Sequence, residues 1–199
     1  MTRAGRPRLS SRPMLEDAAH ELFLEQGYAA TTVDQIAQRA GVGRNTFFNY
    51  FGAKSDVLWA DVDDALAALP PSAELRGDDD PIDAVRTALL EAADTMPAHR
   101  VPWAVSQSEL LGLGAELASS GVHRLARLTE WLGSVLSSRP ERPSVTERAA
   151  AHALAGAALA GAIDWVRAGR GRSALRDHLA PALEPVCTGF SAGSGCRTA

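Results

Sequence analysis

The chain has only two cysteines, Cys187 and Cys196, a single lysine, Lys54, and 6% aromatic residues. Two thiols this near the C-terminus cannot build a disulfide framework, and neither lies in a CxxC pair. The five histidines, His20, His99, His123, His152 and His178, show no HExxH or paired spacing, so no zinc motif is present. Glycine-rich phosphate loops are also absent. Asp17 and His20 stand one helical turn apart, but a lone carboxylate–imidazole pair reads as surface structure. The expectation is a protein that is not an enzyme, needs no cofactor and holds no metal. No hydrophobic run follows the basic start, so a cytoplasmic chain without membrane attachment is expected. Few aromatics amid abundant alanine, leucine and arginine disfavour a β-sandwich and favour helices packed through small and aliphatic side chains.

At 199 residues with 46% hydrophobic content, the chain can fill a core for one small and one larger domain, both all-α. The net charge of −4 is unevenly placed: residues 1–60 hold seven basic and six acidic side chains, whereas 61–199 hold thirteen and eighteen. The first twelve residues carry Arg3, Arg6, Arg8 and Arg12 and no acid. This asymmetry fits nucleic-acid binding at one end only.

The most informative stretch is TTVDQIAQRAGVGRNTFFNYF, residues 31–51. Thr31 or Thr32 can cap a short helix whose Val33, Ile36, Ala37 and Ala40 face inward. Gly41 supplies the left-handed exit, Val42 fills the corner, and Gly43 releases a second helix at Arg44. Phe47 and Phe51, four apart, turn inward and leave Arg44, Asn45, Thr46 and Asn49 outward. That order is a helix-turn-helix, whose second helix fits the DNA major groove. Arg44 can offer a bidentate fork to guanine, Asn45 or Asn49 can pair with adenine, and Thr46 can meet a methyl group or a phosphate. A helical hairpin of this kind also occurs as plain structure. The helix before it and the one opening near Lys54 favour the DNA-binding reading. Arg6 and Arg8, on the arm ahead of the unit, can reach phosphates or the minor groove.

Gly27-Tyr28, Thr31-Thr32-Val33, Ile36-Ala37, Ala40-Gly41-Val42, Thr46-Phe47-Phe48, Tyr50-Phe51 and Lys54 together resemble the DNA-binding domain of TetR-type transcriptional regulators, over roughly Leu9 to Trp59. The resemblance implies an N-terminal three-helix helix-turn-helix domain followed by a helical ligand-binding and dimerisation domain. It implies phosphate contacts from Tyr50, Lys54, Thr31 and Thr32. The position of Phe48 is commonly a tyrosine that touches the DNA backbone; phenylalanine keeps the packing and loses the hydroxyl. It also implies a homodimer in which the last two long helices form a four-helix bundle across a two-fold axis. The details RNTFFNYF, Trp59 and Arg127-Leu128-Thr129-Glu130-Trp131 are most similar to the mycofactocin-associated and acyl-CoA-responsive branch, which implies a long acyl or CoA thioester effector.

Residues 1–9 read as a flexible basic arm, 10–54 as the DNA-binding domain, 55–190 as the helical ligand-binding and dimerisation domain, and 191–199 as a disordered tail. Leu15, Ala18, Ala19, Leu22 and Phe23 form the buried stripe of the first helix. Ser55 opens a helix that Pro70-Pro71 breaks. Asp78-Asp79-Asp80 reads as a cap for the helix starting at Pro81 rather than a cation site. Pro97 and Pro102 fragment the chain around Trp103 to Leu111 and suggest a cavity there. Gly112, Gly114 and Gly121 mark turns or bends ahead of a helix from about Val122 to near Pro140. Ser144 and Glu147 make a capping box for a long helix to about Gly169, in which Ala153, Ala157 and Gly161 form a small-residue stripe that another helix can approach. The last helix, about Ser173 to Val186, is interrupted by Pro181 and Pro185.

Candidate effector-pocket residues are Trp103, Gln107, Leu110, Leu111, Trp131 and Trp165, with His99, His123, Arg124 and Arg127 as polar partners; core packing is the plain alternative for each. The reading is a homodimeric, ligand-responsive repressor released from a palindromic double-stranded DNA operator by a hydrophobic small molecule. The alternatives are a helical carrier or enzyme with no DNA role, and an architectural protein that ignores DNA sequence.

Overall fold

The computed structural model describes residues 11–75, 80–96, 102–137, 139 and 142–194. Arg6, Arg8, Asp78, Asp79, Pro97, His99, Pro140 and residues 195–199 lie outside the described residues, so the expectations placed on them go no further here. The described chain is all helix: α1 Ser11–Gln26, α2 Val33–Arg39, α3 Arg44–Phe48, a 3-10 turn Lys54–Trp59 leading into α4 Ala60–Ala67, α5 Pro81–Asp94, α6 Trp103–Ser106, α7 Ser108–Leu111, α8 Gly114–Leu136, α9 Val145–Arg167 and α10 Leu175–Ser194. It divides into two compact units, residues up to 60 with 103–120, and residues 61–102 with those from 121 onward.

In the first unit Leu15, Ala18, Ala19, Leu22 and Phe23 of α1 bury against Ile36 and Ala40 of α2, Phe47 and Phe51, and Val57 and Leu58. The inward stripes read from periodicity are therefore the core. A boundary at residue 55 does not describe this unit, because the segment 103–120 packs into it. Trp103 stacks on His20 with ring centroids 4.0 Å apart and also meets Phe23. Ala104 and Leu113 are buried in the same cluster. The Tyr28 hydroxyl donates to Glu116 at 3.0 Å, and Trp59 Nε1 donates to Ser120 at 2.8 Å. Gly112 takes a left-handed φ of 61° at the end of α7, whereas Gly114 opens α8 and Gly121 lies within it.

In the second unit Ile82, Val85, Leu89 and Leu90 of α5 pack with Leu132 and Val135 of α8, Ala151, Leu154 and Trp165 of α9, and Leu179 and Leu183 of α10. Asp80 caps α5 by accepting from Ile82 N at 2.9 Å. The capping box of α9 is formed: Ser144 Oγ accepts from Glu147 N at 3.1 Å, and Glu147 Oε2 accepts from Ser144 N at 2.6 Å. Helix α9 is long and apolar enough to cross a membrane by length and composition, yet its Ala150, Leu154, Ala158 and Trp165 stripe is part of the core. A Cβ on Gly161 would stand 2.8 Å from the His178 carbonyl oxygen and 3.0 Å from Leu179 Cα, so α10 occupies that part of the small-residue stripe.

Helix α10 does not stop at its prolines. It runs through Pro181 and Pro185 to Ser194, so residues 191–194 are helical where a disordered tail is expected. Both prolines are exposed and four apart, which puts the two missing N–H donors and any bending on the outer side of the helix.

Candidate DNA-contacting surface and effector cavity

Thr32, not Thr31, is the cap of α2. Its Oγ1 accepts from Gln35 N at 3.3 Å while Gln35 Oε1 accepts from Thr32 N at 2.8 Å, a reciprocal capping box. Thr31 is 1% exposed. Its hydroxyl faces the carbonyl oxygens of Gly27 at 2.8 Å and Leu22 at 3.3 Å, donating inward. The expected phosphate contact from Thr31 is therefore corrected: a buried hydroxyl already bonded to the backbone cannot reach DNA.

Gly41 adopts a φ of 69°, a left-handed conformation that turns the chain out of α2. Helix α3 is five residues long, and Asn49 N and Phe51 N still bond back to Asn45 O and Phe47 O at 3.1 and 2.9 Å. Tyr50 N bonds to Phe47 O at 3.0 Å, so the chain leaves the helix through a turn at Asn49 and Tyr50. Phe47 and Phe51 are buried, Thr46 is half-buried, and Arg44, Asn45, Phe48, Asn49 and Tyr50 are exposed. Of the outward row expected from spacing, Arg44, Asn45 and Asn49 are exposed and Thr46 is only partly so.

Lys54 departs from expectation. Its ammonium donates to the carbonyls of Tyr28 at 2.7 Å and Thr31 at 2.8 Å, and lies 4.0 Å from the Tyr28 ring centroid. It clasps the entry to the helix-turn-helix rather than pointing to a phosphate. Burial pulls the Lys54 ammonium below its ordinary value, with the Glu116 carboxylate opposing. Burial, with the hydrogen bond to Glu116, pushes the Tyr28 phenol up. Arg39 braces α2 on α1, donating to Glu25 at 2.7 and 2.9 Å and to Glu21 at 3.1 Å.

The candidate pocket residues are divided between the two units. Trp103, Gln107, Leu110 and Leu111 belong to the first unit, whereas His123, Trp131 and Trp165 and the arginines Arg124 and Arg127 belong to the second. Trp103 is taken up by the His20 stack, and Leu110 is 73% exposed. Gln107 donates to its neighbour Ser106, and Leu111 packs at the edge of the first core. Trp165 is core, with Nε1 donating to Ser173 O at 3.0 Å, and Trp131 Nε1 donates to Pro70 O at 2.9 Å. His123 is exposed. Buried Arg124 grips Asp63 through Nε at 3.2 Å and Nη2 at 2.7 Å, with Arg127 adding a contact at 3.3 Å.

A partly open cavity of about 180 Å³ in the second unit is lined by Asp61, Asp64, Ala65, Ala68, Thr95 and Met96, none of which is among the candidate pocket residues. Residues 61, 64, 65 and 68 fall on one helical face, a spacing legible in the sequence although it carries no aromatic signal. Its small alanines are what leave the space. Among the described residues no group of three metal-ligating side chains occurs.

A three-helix core that presents a glycine-turned second helix with a polar outer row defines a helix-turn-helix DNA-binding protein. Residues 15–60 match the family model for bacterial regulatory proteins of the tetR family, and residues 79–191 match that for the MftR C-terminal domain. The chain belongs to the TetR family of bacterial transcriptional regulators, which are not enzymes. It is 38% identical over 68 residues to the putative mycofactocin biosynthesis transcriptional regulator MftR of Mycobacterium tuberculosis, an alignment spanning 34% of each chain. Thus only about a third of that relative's length is matched. Among solved structures, Thermus thermophilus FadR in complex with lauroyl-CoA shares the fold at a TM-score of 0.56 and 24% identity, over 90% of this chain and 94% of that one. NalD, the secondary repressor of the MexAB-OprM multidrug efflux pump in Pseudomonas aeruginosa, aligns at 0.54 and 25% identity over 90% and 96%.

Proposed function

We propose that the protein is a homodimeric cytoplasmic repressor that holds a near-palindromic operator and releases it when a hydrophobic small molecule enters the second unit. The observation that carries this reading is the exposure of Arg44, Asn45, Asn49 and Tyr50 beside the buried Phe47 and Phe51. Arginine and asparagine are the side chains suited to guanine and adenine edges. Thr32 and Tyr50 serve as phosphate ligands on this reading, with Arg6 and Arg8 reaching the backbone or the minor groove.

A single helix-turn-helix touches few phosphates, so two copies spanning two half-sites give the useful affinity. Helix α9 offers a face for that pairing. Gly156, Leu159, Ala160 and Ile163 are exposed at three- and four-residue spacing, with Leu159 at 45% and Ile163 at 41%. Exposed leucine and isoleucine in a stripe are what a partner helix would cover.

The effector site on this reading is the cavity beside α4. At about 180 Å³ it is smaller than the roughly 300–1,000 Å³ of drug-sized ligand sites, so a full-sized effector must widen it. Ala65, Ala68 and Met96 give an apolar wall, with Asp61, Asp64 and Thr95 as its polar lining. An apolar wall suits a hydrophobic compound, and an acyl-CoA, the ligand that the branch resemblance implies and that FadR holds, is one class to test. A coupling of about 1–3 kcal/mol would give a five- to 150-fold response. The test is selection of bound DNA from a random pool, repeated with acyl-CoAs and with neutral and cationic lipophiles. A palindromic motif lost on adding one compound supports the reading and names the effector class; no enriched motif at low salt overturns it.

A further inference from the structure

Arg44 opens α3, yet its side chain reaches back to the first turn of α2. Nη1 donates to Asp34 Oδ1 at 2.9 Å and Oδ2 at 2.7 Å. The guanidinium carbon also lies 5.4 Å from the centroid of the Phe48 ring, a ring 45% exposed. Among the described residues, Nε and Nη2 have no acceptor. The guanidinium is thus held at one corner by a carboxylate and over one face by an aromatic platform, with a two-donor edge left open. That edge has the fork geometry that matches O6 and N7 of guanine.

The two side chains of this pair are 57% and 63% exposed. Ion pairs so exposed add little to folding, so stability alone gives Asp34 small reason to sit there. A bare carboxylate on the DNA-facing side would also repel phosphates, a penalty its pairing with Arg44 removes. Fixing a long, rotatable side chain before it meets its target lowers the entropy lost on contact.

We propose that Asp34, which lies outside the recognition helix, is a specificity-determining positioning residue: with the Phe48 ring as platform, it orients Arg44 to read a guanine at one position of each half-site. This rests on the operator-binding reading above. It gives Phe48 a role of its own, as the support of a base-reading arginine in place of a phosphate-contacting hydroxyl.

The test uses the full chain and its Asp34→Ala, Asp34→Asn, Arg44→Ala, Phe48→Leu and Asp34→Ala/Arg44→Ala variants, with folding checked by circular dichroism. Competition binding over all four bases at every operator position is measured at fixed salt, followed by a salt titration. The expected result is loss of one guanine preference in Arg44→Ala, and about a tenfold fall in that same preference in both Asp34 variants. Other positions and the salt slope should stay as they are, and the double variant should add nothing to Arg44→Ala. Phe48→Leu should weaken the same position. A guanine preference untouched by removal of Asp34 overturns the proposal. So does a uniform rise in affinity for all sequences, which would make Asp34 a competitor that masks Arg44. If the wild-type chain enriches no motif, the repressor reading falls and this proposal with it; a motif that is intact without Asp34 removes only the latter.

Discussion

Two adjacent threonines, chemically equivalent in the sequence, have opposite fates. Thr32 caps α2 at the surface, while Thr31 buries its hydroxyl against the carbonyls of Gly27 and Leu22. Local capping rules allow either residue the cap and leave the choice open; only the packing of α1 against the turn decides it. Replacing Thr31 with valine keeps the shape and removes the donor, so unfolding by urea should show a loss of about 1–3 kcal/mol with unchanged base preference. The Asp34–Arg44 contact was equally invisible, because the two are ten residues apart and on different helices. For Glu25, the bond from Arg39 holds the carboxyl below its ordinary value of 4.5. A depressed carboxyl contributes stability above its unfolded pKa and loses it as pH falls through the folded value. The difference in melting temperature between wild type and Glu25→Gln should therefore be present near neutral pH, begin to shrink as the pH drops below about 4.5, and be lost once the pH has passed the lower folded value.

At the scale of the helix, apolar periodicity revealed α1, α2 and the inward face of α3 well, since each buried stripe follows from spacing alone. It revealed less about which neighbour a stripe meets. The small residues of α9 are visible in the sequence, but not that Gly161 receives α10 while Gly156 has open space around it. The two glycines should therefore respond oppositely to alanine. Gly161→Ala should cost about 1–3 kcal/mol, because its new Cβ meets backbone rather than a movable side chain. Gly156→Ala should raise the stability of the subunit by up to about 1 kcal/mol through helix propensity. Thermal melts of both variants check this. The Trp103 segment was misplaced for a related reason: its proline breaks locate a change of direction but not the helix it packs on, and the His20 stack is a long-range contact.

The molecule as a whole is most readable where structure depends on short-range order, the helix-turn-helix, and least readable where it depends on tertiary placement, as in the walls of the cavity. Aromatic residues are natural candidates for pocket walls, yet Trp165 is core, Trp103 packs against the first unit's core, and the cavity is lined by alanines and aspartates with Thr95 and Met96. If α9 carries the dimer, Leu159→Glu or Ile163→Glu should leave helix content intact, shift sedimentation from dimer to monomer at micromolar protein, and weaken operator binding by about tenfold or more. A dimer that persists in both variants would move the interface elsewhere. One further consequence follows from the clasp at Lys54. It is the only lysine in the chain, and its amine is bound to the carbonyls of Tyr28 and Thr31. Side-chain acylation therefore has a single address, and neutralising that one amine unfastens the entry to the DNA-reading pair.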